Sequence, residues 1–202
     1  MIDSNGNDPT ANPISADIQL DWAEQIRKGN EEYFELLFLT YYKPLTRFAN
    51  RFLKSQPSAE ETVQEVFLRI WDQRAEWFPD RSVRAYLYRA VRNKALDEVK
   101  NRKVRETYDA EISEEWHQEP EIIGYHEENP ELIKLVNHYI DHLPERCRYI
   151  FKLHRYDGLT YNEIAEVLNI SRNTVEVQMT RSLKKLRTWL LPYLSVVLYL
   201  IG

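Results

Sequence analysis

The run Thr160-Tyr-Asn-Glu-Ile-Ala-Glu-Val-Leu-Asn-Ile-Ser-Arg-Asn-Thr-Val175 leads into side chains suited to reading the edges of DNA bases. Arg172, Asn173, Glu176 and Gln178 stand in the first turns of the helix that begins after Ser171. An arginine fork matches guanine, asparagine and glutamine match adenine, and a carboxylate accepts from the cytosine amine. Arg181, Lys184, Lys185 and Arg187 lie further along, where basic side chains meet phosphate and fix the register on the duplex. Val175, Met179, Leu183 and Leu186 recur at steps of four, four and three, which assigns that stripe to the core. An ordinary amphipathic hairpin with a solvated basic face is the competing account. Local signals favour the reader. Thr160 and Glu163 stand at capping-box spacing, and Ala165 is small enough for a crossing helix. Asn169 tolerates a left-handed exit, and Ser171 can cap the second helix. Together these make a helix-turn-helix.

A second constellation runs from Arg84 to Lys103, where Tyr86 and Tyr88 are interleaved with cations. Cations attract phosphates and aromatic faces stack unpaired bases, which is how proteins hold single-stranded nucleic acid. Core and rim tyrosines beside a solvated charged face account for the same spacing equally well. His138 and His142 lie four apart, as zinc ligands can, but no third ligand stands at a fitting distance, so a surface or packing role is expected. Cys147 stands between Arg146 and Arg148, an arrangement that can lower a thiol pKa, although a packing role is the simpler expectation. No glycine-rich phosphate loop and no nucleophile–base arrangement stand out. No catalytic residue, metal or cofactor is expected.

The elements that must position these groups read as helices. Ala16 to Lys28 places Ile18, Trp22 and Ile26 four apart and stops at Gly29. Asn30 can cap a helix to about Leu53, with Pro44 as a point of kinking or division. Ser58-Ala-Glu-Glu61 matches a capping box ahead of Val63, Val66, Phe67, Ile70 and Trp71. Ser82 can cap a fourth helix to about Arg105, with Tyr86, Leu87, Ala90, Val91, Leu96 and Val99 as its apolar positions. Further helices are expected at 130–142, 144–156, 160–168 and from 171 to about 190. Pro130 and Pro144 are both read as first-turn prolines.

Composition agrees with an all-α protein. The 202 residues include only five glycines, and 43% hydrophobic with 29% charged residues is ordinary for a globular chain. One cysteine excludes an internal disulfide framework. The polar first 15 residues read as a disordered leader with no secretory signal, and a cytoplasmic location is expected. A net charge of −5 suits a DNA reader poorly until its distribution is seen. Ten acidic residues and no lysine or arginine lie between Glu106 and Glu131, and the remainder of the chain carries +5. Such segregation points to an acidic linker between basic modules.

Three segments now stand in order: Ser58-Ala-Glu-Glu-Thr-Val-Gln-Glu-Val-Phe-Leu-Arg-Ile-Trp71, Arg84 to Asp97, and Leu143-Pro-Glu-Arg through Arg187. Their order and spacing resemble the extracytoplasmic-function (ECF) sigma factors of bacterial RNA polymerase over roughly residues 30–190. The resemblance implies two small helical domains, at 16–105 and 130–190, joined by the acidic linker 106–129 and followed by a tail at 191–202. It implies that Gln64, Glu65, Phe67 and Arg69 meet core RNA polymerase. It also implies that the helix at 81–105, with the loop 76–82 before it, melts and captures the −10 promoter element. Tyr86, Arg89, Arg92, Asn93 and Lys94 are the candidates there, and the helix-turn-helix would read duplex DNA at −35. An anti-sigma protein is an expected partner, and no small-molecule substrate is.

Two rival readings stand beside this one. A conventional helix-turn-helix regulator would need a ligand pocket or phosphoacceptor domain upstream, and residues 16–105 read as neither. A metal-dependent helical enzyme would rest on His138 and His142 alone. The apolar tail from Trp189 onward is too short to cross a bilayer and is read as a packing or partner-binding segment, with contact to a membrane surface as the alternative.

Overall fold

The computed structural model describes residues 16–79, 82–106 and 130–201. The expected disordered leader and, apart from Glu106, the expected acidic linker lie outside these residues, as do Asp80 and Arg81 of the expected −10 elements. Among the described residues there is no strand. The elements are α1 (Ala16–Arg27), α2 (Glu31–Leu53), α3 (Gln56–Asp72), a 3₁₀ turn (Arg74–Glu76), α4 (Val83–Glu106), α5 (Pro130–Asp141), α6 (Glu145–Arg155), α7 (Tyr161–Leu168) and α8 (Arg172–Ile201). They divide into two compact units, with α1–α4 in one and α5, α6, most of α7 and α8 in the other.

In the first unit α2, α3 and α4 pack on one another around an aromatic core. Phe67 of α3 is met edge-on by Phe34 and Phe38 of α2, at centroid distances of 6.1 and 5.0 Å. Tyr88 of α4 meets Phe48 in the same way at 4.9 Å. Edge-to-face pairs of this kind add to simple area burial. Trp22 and Ile26 of α1 are buried, but Ile18 is exposed, because the buried face of this short helix runs through Gln19, Trp22, Ala23 and Ile26 and leaves position 18 to one side. Gly29 adopts φ +84°, a left-handed conformation suited to glycine, and Asn30 then caps α2 by accepting the Glu32 amide at 3.1 Å.

Three local expectations are corrected here. α2 runs through Pro44 as one helix of 23 residues, so the proline does not divide it. α3 begins at Gln56, and its cap is Ser55, whose Oγ accepts the Ser58 amide at 3.4 Å. Ser58 therefore lies inside the first turn and is not the cap. Pro57 fits there because a first-turn residue needs no amide partner. Leu96 of α4 is exposed, while Val83, Ala85, Leu87, Tyr88, Val91 and Ala95 fill the buried face. The expected Ser82 cap is present, with its Oγ accepting the Ala85 amide at 3.1 Å.

In the second unit α6 packs along α8. Pro144 is the residue before α6, in an extended conformation, and not a first-turn residue. The reciprocal capping box of α7 is present: the Thr160 amide donates to Glu163 Oε2 at 2.7 Å, and the Glu163 amide donates to Thr160 Oγ1 at 3.3 Å. Asn169 takes φ +54° and turns the chain out of α7. Ser171 Oγ then accepts the Thr174 amide at 3.1 Å and opens α8. The inward stripe of α8 is Val175, Met179, Ser182 and Leu186. Leu183 is 46% exposed and does not belong to it. Ser182 takes the inward place because α6 passes close by, and its hydroxyl lies 2.8 Å from the Gln178 carbonyl and 3.3 Å from that of Cys147. α8 continues through Pro192 to Ile201, well past the expected end near Leu190.

Candidate nucleic-acid interface

In the second unit the turn Asn169–Ser171 sets the N-terminus of α8 at the surface, with Arg172 and Asn173 in its first turn. Arg172 Nε donates to Glu176 Oε1 at 2.8 Å, an i,i+4 pair that holds the guanidinium plane. With Nε engaged, the two terminal nitrogens form the edge left to meet a base. Asn173 is exposed. Gln178 is half-buried, and its Oε1 accepts the Cys147 thiol at 3.0 Å, so its amide is turned towards α6. Cys147 itself is buried where α6 meets α8, which suits packing. Arg181, Lys184, Lys185 and Arg187 are all exposed. Tyr161, the first residue of α7, has its phenol raised above the usual tyrosine range, by burial first and by the Glu176 charge second.

In the first unit the candidate polymerase-facing residues of α3 separate into two kinds. Gln64, Glu65 and Arg69 are exposed. Gln64 Nε2 donates to Tyr42 Oη at 3.5 Å, and Arg69 Nε donates to Gln73 Oε1 at 3.3 Å. Phe67 is 2% exposed within the aromatic core, so it supports the helix and is not available to touch a partner. On α4, Tyr86, Arg89 and Asn93 are three and four residues apart and share one stripe. Tyr86 is half-buried, with its ring edge-on to Trp77 at 5.9 Å; Arg89 and Asn93 are exposed, and Arg92 flanks them. Lys94 turns the other way and pairs with Glu65 of α3. A cavity of about 380 Å³ lies there between α3 and α4, lined by Glu61, Glu65, Lys94 and Asp97 among others. Of the two tyrosines in the cationic run, Tyr88 is core and only Tyr86 reaches the surface.

Sequence reasoning missed one residue. Phe78, in the segment between the 3₁₀ turn and α4, is 64% exposed, and the Arg27 guanidinium sits 4.5 Å from its ring centroid. Arg27 Nη1 also donates to the Trp77 carbonyl at 3.4 Å, which anchors the segment. The adjacent Trp77-Phe78-Pro79 lies outside any helical period, and an aromatic in such a place is the one signal available. His138 and His142 are exposed, and the His142 ring nitrogen donates to the His138 carbonyl at 2.7 Å. Among the described residues no three His, Cys, Asp or Glu side chains are grouped to hold a metal.

A helix-turn-helix unit with an exposed cationic helix, together with a second helical unit that has its own cationic stripe, defines a DNA-reading transcription protein. Family comparison narrows this. Residues 37–105 match the model described as Sigma-70 region 2, and residues 133–186 match Sigma-70, region 4; together they span more than half of the chain. RNA polymerase sigma-H factor of Pseudomonas aeruginosa is 27% identical over 184 residues, covering 85% of this chain and 93% of the relative. ECF RNA polymerase sigma factor SigW of Bacillus subtilis is 27% identical over 172 residues, covering 81% and 92%. The fold is similar to that of CnrH in complex with the cytosolic domain of CnrY, with a TM-score of 0.51, 24% identity, and coverage of 84% of this chain and 95% of that one. It is similar also to the sigma factor RpoE in complex with the anti-sigma factor NepR from Bartonella quintana, at TM-score 0.51, 18% identity, and coverage of 78% and 96%. The chain belongs to the ECF sigma factors of bacterial RNA polymerase.

Proposed function

We propose that this sigma factor divides its work between the exposed side chains of its two units. Gln64, Glu65 and Arg69 meet core RNA polymerase, with Phe67 holding α3 in shape beneath them. Tyr86, Arg89, Arg92 and Asn93 hold the melted −10 strand, Lys94 joins them once freed from Glu65, and Phe78 offers a ring on which an unpaired base can stack. Arg172 and Asn173 read base edges at −35, with Glu176 setting the angle of Arg172; Arg181, Lys184 and Lys185 take the phosphates. Gln178 acts as a bridge to α6.

The observation that carries this reading is the coincidence of exposed cations with the family's two regions. Region 2 supplies the Tyr86–Asn93 stripe and region 4 supplies the first turns of α8. Opening DNA costs a few kcal/mol for each base unstacked. Polymerase docking and the upstream contact offset that cost, because two tethered weak contacts act at high effective concentration. The chain works in the cytoplasm, where the polymerase is, and has no catalytic role of its own. Control by an anti-sigma protein belongs to the same proposal, since the similar RpoE structure is a complex with the anti-sigma factor NepR.

The test is run-off transcription with core polymerase on a promoter library, with and without the chain. Factor-dependent starts that share two conserved blocks upstream support the reading. Binding to core enzyme without any new transcript would overturn it.

A further inference from the structure

From Thr188 to Gly202 no side chain carries a charge, and α8 keeps its helical form through this stretch as far as Ile201. The two turns before it hold Arg181, Lys184, Lys185 and Arg187, all exposed. Trp189 and Tyr193 stand at the boundary. The Lys185 ammonium lies 5.3 Å from the Trp189 ring centroid, Tyr139 of α5 stacks on Trp189 at 5.8 Å, and the Tyr139 hydroxyl donates to that of Tyr193 at 3.0 Å. The root of the segment is thus held by α5, while Leu191 and Tyr193 remain 56% and 43% exposed.

A helix that docks in a protein groove needs one apolar face and keeps the opposite face polar. Between Thr188 and Ile201 the only short polar side chains are Thr188 and Ser195, which share one narrow face with Tyr199, and the rest of the circumference is apolar in sequence. A helix with so broad an apolar surface and so narrow a polar stripe fits surroundings that are apolar on most sides with headgroups at its root, which a leaflet provides. Its length is about 21 Å at the helical rise per residue. That passes one leaflet but falls short of the ~30 Å hydrocarbon core. No helix among the described residues is long and apolar enough to cross a membrane. The order of groups along α8 is cations, then aromatics, then aliphatics. Headgroups, interface and acyl chains come in the same order through a leaflet.

We propose that the part of α8 beyond Arg187 is a lipid-contacting segment that seats in an anionic leaflet, with Arg181, Lys184, Lys185 and Arg187 on the headgroups. This inference is separable from promoter recognition, since a chain that bound bilayers yet started no transcript would satisfy it. Flotation of the full chain with phosphatidylcholine vesicles, alone or carrying phosphatidylglycerol, tests it. Recovery with the anionic vesicles is expected to exceed that with the neutral ones by at least roughly tenfold. Leu194→Glu with Leu198→Glu should abolish flotation while leaving helix content and melting temperature unchanged. Lys184→Gln with Lys185→Gln should reduce the preference for anionic vesicles. The proposal is overturned if the full chain floats with neither vesicle, or if the double glutamate variant floats like the parent. It is overturned also if sedimentation shows self-association that the glutamates abolish without any flotation, because the segment then covers a second copy.

Discussion

Truncating Phe67 to alanine deletes a ring enclosed by Phe34 and Phe38, and is expected to cost about 3–5 kcal/mol in denaturant unfolding. Arg69→Glu, on the exposed side of the same helix, should leave stability within about 0.5 kcal/mol and yet weaken capture by core polymerase in a competition assay. A stable Arg69→Glu protein that binds polymerase normally would remove this residue from the docking face. At the other unit, Arg172→Ala should relax the preference at one base of the −35 element by about 1–3 kcal/mol. Glu176→Ala should blur the same position, whereas a change at a neighbouring base would make Glu176 a reader itself; selection from randomised promoters separates these outcomes. Phe78→Ala should slow strand opening, followed by permanganate reactivity of unpaired thymines, while leaving duplex recognition intact. Tyr139 offers a pH test. Its phenol is raised above 10.0 by the hydrogen bond to Tyr193 and then by burial, so the native state keeps a proton that the unfolded chain loses first. Its contribution is complete below pH 10.0 and fades as pH climbs through the raised value, a loss that Tyr139→Phe should remove from melting curves.

At the scale of elements the serines before α3 make a clean comparison. Ser55→Ala should cost about 1 kcal/mol, and Ser58→Ala distinctly less, because only Ser55 holds an orphan amide. The sequence made the helices and most of their caps legible, since a cap depends on a few adjacent residues: Asn30, Ser82, the Thr160–Glu163 box and Ser171 all stand where their types suggest. α3 misled because two serines compete near one proline, and a pattern cannot say which the chain enters first. Leu183 misled for a different reason. Hydrophobic periodicity favours the larger apolar residue, whereas the close crossing of α6 admits only a small side chain, so Ser182 lies inside. The burial of Phe67 in α3 and the turning of Gln178 in α8 towards Cys147 are tertiary facts with no local signature. Phe78 lies outside any helical period, and only packing distinguishes it from a buried aromatic.

Over the whole chain, a net charge of −5 conceals two cation-bearing units, and their contacts with phosphate should govern salt dependence. Lys184→Ala is expected to reduce the slope of log affinity against log salt by about 0.9 for holoenzyme on promoter duplex, without changing base preference. An unchanged slope would place Lys184 away from the DNA backbone. α8 is one helix of 30 residues, about 45 Å long, with the proposed promoter contacts near its start and the apolar stretch at its far end. Arg181, Lys184 and Lys185 lie between them, and the same three cations cannot neutralise two polyanions at once. On the two proposals above, bilayer and promoter would compete for a single rod, and membrane area would become a reservoir from which free factor is withdrawn as polymerase takes it up.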